Sequence, residues 1–80
     1  MKFFYVYILK SEAALDAFYV GFTEDLRSRL RLHNSGHVPH TAKLRPWRIK
    51  TAVAFSVRGH FEFERYLKSA SGRAFAKKRL

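Results

Sequence analysis

The sequence predicts an α+β fold: a small three-stranded, largely antiparallel sheet flanked by helices in the order β-β-α-β-α-α. Three observations carry this. Phe3 to Leu9 is an unbroken apolar run rich in aromatic and β-branched residues, which reads as a strand buried on both faces and therefore central. Tyr19 to Asn34 passes from a second strand-like run through Gly21 into a helical repeat, with Leu26, Leu30 and His33 at i, i+4 and i+7. After a third strand, two helical patterns close the chain.

Taken in order, Lys2 to Lys10 forms the first strand. Lys2 before it and Ala13 and Ala14 after it loosely resemble a secretion signal, but the run is short and Lys10 closes it at once. Ser11 to Ala17 connects it to a second strand, Phe18 to Phe22, in an antiparallel hairpin with a loose loop. A helix follows over about Glu24 to Asn34. Thr23 is expected to cap it, with Glu24 and Asp25 in its first turn and Gly36 just beyond its end. Ser35 to Arg45 has turn signals and basic groups but no periodicity, and reads as a surface loop bearing His37 and His40. Pro46 holds Arg45 extended. Trp47 to Ser56 contains the third strand, with Trp47 buried at its start. Arg58 and Gly59 then turn the chain into a helix over about His60 to Ser69, where Phe61, Glu64 and Leu67 share a stripe. Ser69 or Ser71 caps a last basic helix, Gly72 to Arg79.

Eighty residues correspond to one domain, near the size at which a single core is just sufficient. Sixteen Lys and Arg against six Asp and Glu give a net charge of +10, which favours a polyanionic partner. The absence of cysteine excludes disulfides, thiolate zinc sites and a cysteine nucleophile. No run approaches a membrane span, so a soluble cytoplasmic protein with no membrane partner is expected.

Five polar-tipped or charged residues fall at inward or edge positions: Tyr7, Tyr19, Arg29, His33 and Glu64. Each has an ordinary explanation taken singly. A core tyrosine satisfies its hydroxyl, Arg29 snorkels, His33 sits favourably at a helix C-terminus, and Glu64 pairs with Lys68 at i+4. Their joint occurrence points to phosphate chemistry. Cleaving a phosphodiester needs a cation on the phosphate oxygens, a base for the attacking water and usually a divalent metal on a carboxylate. Arginine matches phosphate with a planar fork, and Mg²⁺ keeps most of its waters, so Glu64 alone is a sufficient protein ligand.

Val6-Tyr7-Ile8, Tyr19-Val20-Gly21, the run through Arg29 to His33-Asn34, Pro46-Trp47 and Glu64 ahead of Leu67-Lys68-Ser69 together resemble the GIY-YIG endonuclease family, in its stand-alone single-domain form. The resemblance covers essentially the whole chain. It implies a nuclease using one Mg²⁺ or Mn²⁺ ion, with Glu64 as the metal ligand and Arg29 on the scissile phosphate. Tyr7 and Tyr19 then line the nucleophile's approach, Tyr7 being taken as general base, and His33 orients water or assists proton transfer. The first signature departs from the family triplet at Val6, and Phe22 stands where some members carry a lysine near the base. That removes one candidate for activating the tyrosine and shifts the burden to His33 or to metal-bound hydroxide.

On this reading the partner is nucleic acid, DNA in the first instance. Lys43, Arg45, Arg48, Arg58, Lys68, Arg73, Lys77 and Lys78 are candidate backbone contacts. A branched or single-stranded substrate suits so small a domain. The alternatives are a non-catalytic nucleic-acid-binding module of the same fold and a ribosome-associated basic protein that prefers RNA.

Overall fold

The computed structural model describes residues 3–56 and 60–80, the side chains of residues 60 and 61 excepted. The elements are β1 (Phe4–Ser11), β2 (Phe18–Thr23), α1 (Leu26–Ser35), α2 (Pro39–Ala42), β3 (Trp47–Phe55), α3 (His60–Lys68) and α4 (Ala70–Arg79). The sheet order is β2-β1-β3, and both pairings are antiparallel. The expected α+β architecture is therefore present, with β1 at its centre.

The position of β1 follows from its composition. Val6, Tyr7, Ile8 and Leu9 are all buried, and because successive side chains alternate, both faces of the strand must be covered. Val6 and Ile8 pack with Leu67 on one face, joined by Val20, Phe55, Phe63, Ala76 and Leu80. Tyr7 and Leu9 pack with Trp47 on the other, joined by Leu26, Leu30, Leu44 and Ile49. So α3 and α4 cover one face of the sheet, and α1 and the segment after it cover the other.

Two boundaries differ from expectation. Thr23 is still the last residue of β2, too early to cap α1. Asp25, in extended backbone, is the cap: its carboxylate accepts from Ser28 N at 3.0 Å and from Ser28 Oγ at 2.9 Å. Thr23 Oγ1 instead accepts from Asp25 N at 3.1 Å, holding the cap in place. Neither Glu24 nor Asp25 is then in the first helical turn, which contains no acid. At the other end, Ser69 caps α4 through Gly72 N at 3.1 Å, so this helix starts at Ala70, earlier than predicted.

The third difference is α2, one helical turn inside the segment expected to be a plain loop. Its side chains explain why it holds. Thr41 is fully buried, and its carbonyl accepts from Trp47 Nε1 at 2.8 Å. Asn34, on the last turn of α1, clamps the Trp47 backbone from both sides, donating to Trp47 O at 2.9 Å and accepting from Trp47 N at 2.6 Å. Ser11 Oγ donates to Leu44 O at 2.6 Å, tying the end of β1 to the same segment. Trp47 is buried, as expected, and the Arg45–Pro46 peptide is cis. Among the described residues no helix is long and apolar enough to cross a membrane.

Leu67 is the one helical side chain among the largest fully buried apolar groups, and it closes the α3 face of the sheet. Leu67→Ala is expected to lower unfolding free energy by about 2–5 kcal/mol, the lost burial plus the cavity left among Val6, Ile8, Phe55 and Phe63. Urea denaturation measures it, with an unchanged m-value expected.

Candidate active site

Tyr7 stands at the middle of β1, opposite Gly21 on β2 and Ala52 on β3. A Cβ on Gly21 would lie 2.5 Å from the Tyr7 hydroxyl oxygen and 2.7 Å from Cζ. The ring therefore crosses the space that any other residue at position 21 would occupy, which is the physical use of the glycine in Tyr19-Val20-Gly21. Passing over Gly21, the Tyr7 hydroxyl reaches α1, where it meets His33 Nε2 at 3.0 Å. The other ring nitrogen, Nδ1, lies 2.9 Å from Thr41 Oγ1 on α2. All three side chains are out of solvent: Tyr7 is 2 %, His33 1 % and Thr41 0 % exposed.

The direction of this chain of hydrogen bonds follows from where it ends. Thr41 Oγ1 donates to Val38 O across a long 3.4 Å contact, so its oxygen accepts from His33 Nδ1–H. His33 Nε2 is left as a lone pair that accepts the Tyr7 O–H. Every proton then has a partner, whereas the reverse assignment leaves the Tyr7 proton with no partner among the described hydrogen bonds. The ionisation tendencies agree. Burial holds His33 below the ordinary histidine range, with Arg29 adding to the effect, so the imidazole is neutral near pH 7. Burial also pushes the Tyr7 phenol well above the ordinary tyrosine value, and Tyr19 and Glu64 add to this while Arg29 opposes it.

In front of Tyr7 is an open cavity of about 610 Å³, lined by Tyr7 and Tyr19 from the two strands, Gly21, Arg29 from α1 and Glu64 from α3, with Glu24 and Asp25 also in its lining. Tyr19 packs against both Tyr7 and His33, with ring centroids 6.4 and 4.8 Å apart respectively. Glu64 is held by Lys68 at 3.2 Å, the i,i+4 pair anticipated from the sequence, and its side chain is largely covered. Four of the five candidate catalytic residues thus share one cavity. The fifth, His33, lies behind its wall and touches it through Tyr7.

The basic candidates divide. Lys68, Arg73 and Lys77 line a second cavity, on the α3–α4 side of the sheet. Lys43, Arg45, Arg48 and Lys78 are exposed and line neither cavity. The Arg45 guanidinium lies against Gly36 at the end of α1. Arg58 is outside the described residues. Sequence reasoning passed over Thr41, because a threonine in a Pro- and His-containing loop carries no signal until the loop folds under His33. It also passed over Asn34 as the clamp on Trp47.

Set beside known proteins, this arrangement has a family. The family model of the GIY-YIG catalytic domain matches residues 3–79, and the chain belongs to that family. Membership makes it a nuclease-type hydrolase whose partner is nucleic acid. No curated protein and no solved structure matches the chain.

Burying a neutral histidine links stability to pH. The unfolded chain binds a proton near the ordinary histidine pKa of about 6.5, whereas folded His33 resists protonation until lower pH. Folded stability contributed by this group is therefore complete above about pH 6.5 and falls as the pH drops through the window below it. Melting temperatures measured from pH 8 to 5 are expected to decline on the acid side, and His33→Gln is expected to flatten that part of the decline.

Proposed function

We propose that the chain is a divalent-metal-dependent endonuclease that hydrolyses phosphodiester bonds in DNA, using one Mg²⁺ or Mn²⁺ ion held at Glu64. The observation that carries this is the convergence of Tyr7, Tyr19, Arg29 and Glu64 from four elements on one open cavity, with a buried proton acceptor directly behind Tyr7. Arg29 takes the scissile phosphate through its planar fork and offsets charge that develops on the non-bridging oxygens. Tyr7 receives the attacking water's proton. Because its own phenol stays protonated near pH 7, that proton moves on to His33 Nε2, 3.0 Å away, as the first arrives. The resulting imidazolium keeps its Nδ1–H bond to Thr41 Oγ1.

The donor set suits a hard cation. Among the described residues no group of three or more His, Cys, Asp and Glu side chains could hold a metal, and both nitrogens of His33 are already engaged. Zinc, which asks for three or four protein ligands, fits poorly. An ion that keeps most of its waters and takes one carboxylate fits Glu64. Lys68 holds that carboxylate through an i,i+4 pair of a kind worth only ~0.3–0.5 kcal/mol, which would leave the carboxylate available to hold a cation. When bound, the ion supplies positive charge to the phosphate oxygens and to the leaving oxygen.

Cleavage assays on labelled single-stranded, duplex and branched DNA, in Mg²⁺ or in EDTA, test the proposal. Wild type is expected to cut in Mg²⁺ only, and Glu64→Ala and Arg29→Ala to lose about 100-fold or more in rate. Wild type that cuts nothing, or variants that cut as well as it does, would refute the assignment; binding without cleavage would make the chain a binding module. Thr41 offers a finer check. Thr41→Val is expected to lower kcat about tenfold, the worth of ~1.4 kcal/mol, at unchanged KM, since the imidazolium loses its acceptor. The acid limb of its pH profile should move to lower pH, and Thr41→Ser should restore both.

A further inference from the structure

The second cavity, of about 810 Å³, lies mainly on the α3–α4 face of the sheet at edge strand β2 and reaches round that edge to Ala17, Tyr19 and Leu44 of the opposite cluster. Its size falls in the range of small-ligand pockets, roughly 300–1,000 Å³. Lys50, Lys68, Arg73 and Lys77 line it, with Asp16 as the one acid, and its floor is apolar, formed by Ile8, Val20, Leu67 and Ala76. Phe18 also lines it and is 45 % exposed, although it sits in a strand that pairs with the core strand. Lys50 is the residue skipped by the register shift between β1 and β3: Ile8 faces Thr51, but Leu9 faces Ile49. A bulge re-aims a side chain. Here the Lys50 ammonium lies 5.4 Å from the Phe18 ring centroid.

This groove adjoins the catalytic cavity. Tyr19 lines both, and the Glu64–Lys68 ion pair spans them, the carboxylate on one side and the ammonium on the other. Four cations, one of them beside an exposed aromatic ring, and an apolar floor complement a ligand that is anionic along its backbone and flat and apolar on its faces. A base locked in a duplex stack cannot offer its face to Phe18, whereas an unpaired one can. We propose that the groove binds an unpaired nucleotide of the DNA strand next to the scissile phosphate, with the base on Phe18 and the phosphates at Arg73, Lys77 and Lys50. This rests on the nuclease reading for the identity of the strand, and it gives the substrate class: DNA with a single-stranded segment adjoining the cut, as in flaps and branches.

Binding by the full chain in EDTA, read by fluorescence anisotropy, tests the groove separately from catalysis. The probes are a labelled twelve-nucleotide oligothymidylate, a blunt duplex of twelve base pairs and a twelve-nucleotide oligouridylate. Wild type is expected to bind oligothymidylate more tightly than the duplex and at least as tightly as oligouridylate. Phe18→Ala should weaken oligothymidylate binding about five- to a hundredfold and change duplex binding less than about twofold. Phe18→Leu, which keeps apolar bulk, should weaken it nearly as much, and melting curves confirm that both variants fold. Arg73→Glu with Lys77→Glu should flatten the slope of log K against log salt by about 0.7 for each lost contact. Equal single-strand binding by Phe18→Ala and wild type, an equal loss on both DNA forms, or tighter duplex binding by wild type would overturn the groove. Tighter oligouridylate binding would overturn its assignment to DNA. A protein that binds in the expected pattern but never cleaves supports the groove and refutes the nuclease reading. One that cleaves DNA while Phe18→Ala binds normally refutes the groove alone.

Discussion

The Tyr7 to His33 hydrogen bond is the constraint on which the rest of the molecule depends. It places two polar side chains between a sheet and a helix, where each unsatisfied group costs about 1–3 kcal/mol. The remaining ring nitrogen must therefore be met from below, and Thr41 meets it. Thr41 reaches that point because α2 is pinned by the Trp47 indole, and α1 is joined to β3 by the Asn34 clamp. The bare Gly21 leaves the Tyr7 ring a path across the sheet. Several features that look like separate details of packing thus serve one buried polar contact.

The charges at the surface follow a different logic. Tyr7 and His33 are both held in their neutral forms by burial, so the resting site stores little charge in its interior. Arg29 and Glu64, at the cavity, carry opposite charges and come from helices on opposite faces of the sheet. The single ion pair described at the site, between Glu64 and Lys68, is of the weak i,i+4 kind and can exchange partners. A buried neutral hydrogen-bond chain beside loosely held charges suits a member of a family whose partner, nucleic acid, is itself highly charged.

Much of this was legible in the chain itself. The two-faced apolar run of β1 announced a central strand, and the helical spacing of Leu26, Leu30 and His33 put a histidine on a face that proved buried. Glu64 on the Leu67 stripe was visible as a carboxylate on an otherwise apolar face. The cap of α1 was read two residues early because Thr23 and Asp25 are both good caps, and only the strand's true end decides between them. Nothing local distinguished α2 from loop, since its stability comes from Trp47 and His33, distant partners that hydrogen-bond to it.

The sequence by itself determined the three strands and the three longer helices, their order, the central place of β1 and which residues have the chemistry proposed for a phosphate site, because periodicity and residue chemistry are local properties. The tertiary structure alone decided that Tyr7, Tyr19, Arg29 and Glu64 face one cavity, that Thr41 fixes the protons on His33, and that a strand bulge brings Lys50 over Phe18. Those depend on strand register and on how helices seat against a sheet, and a register is set by the sum of many long-range contacts that no short stretch of chain contains.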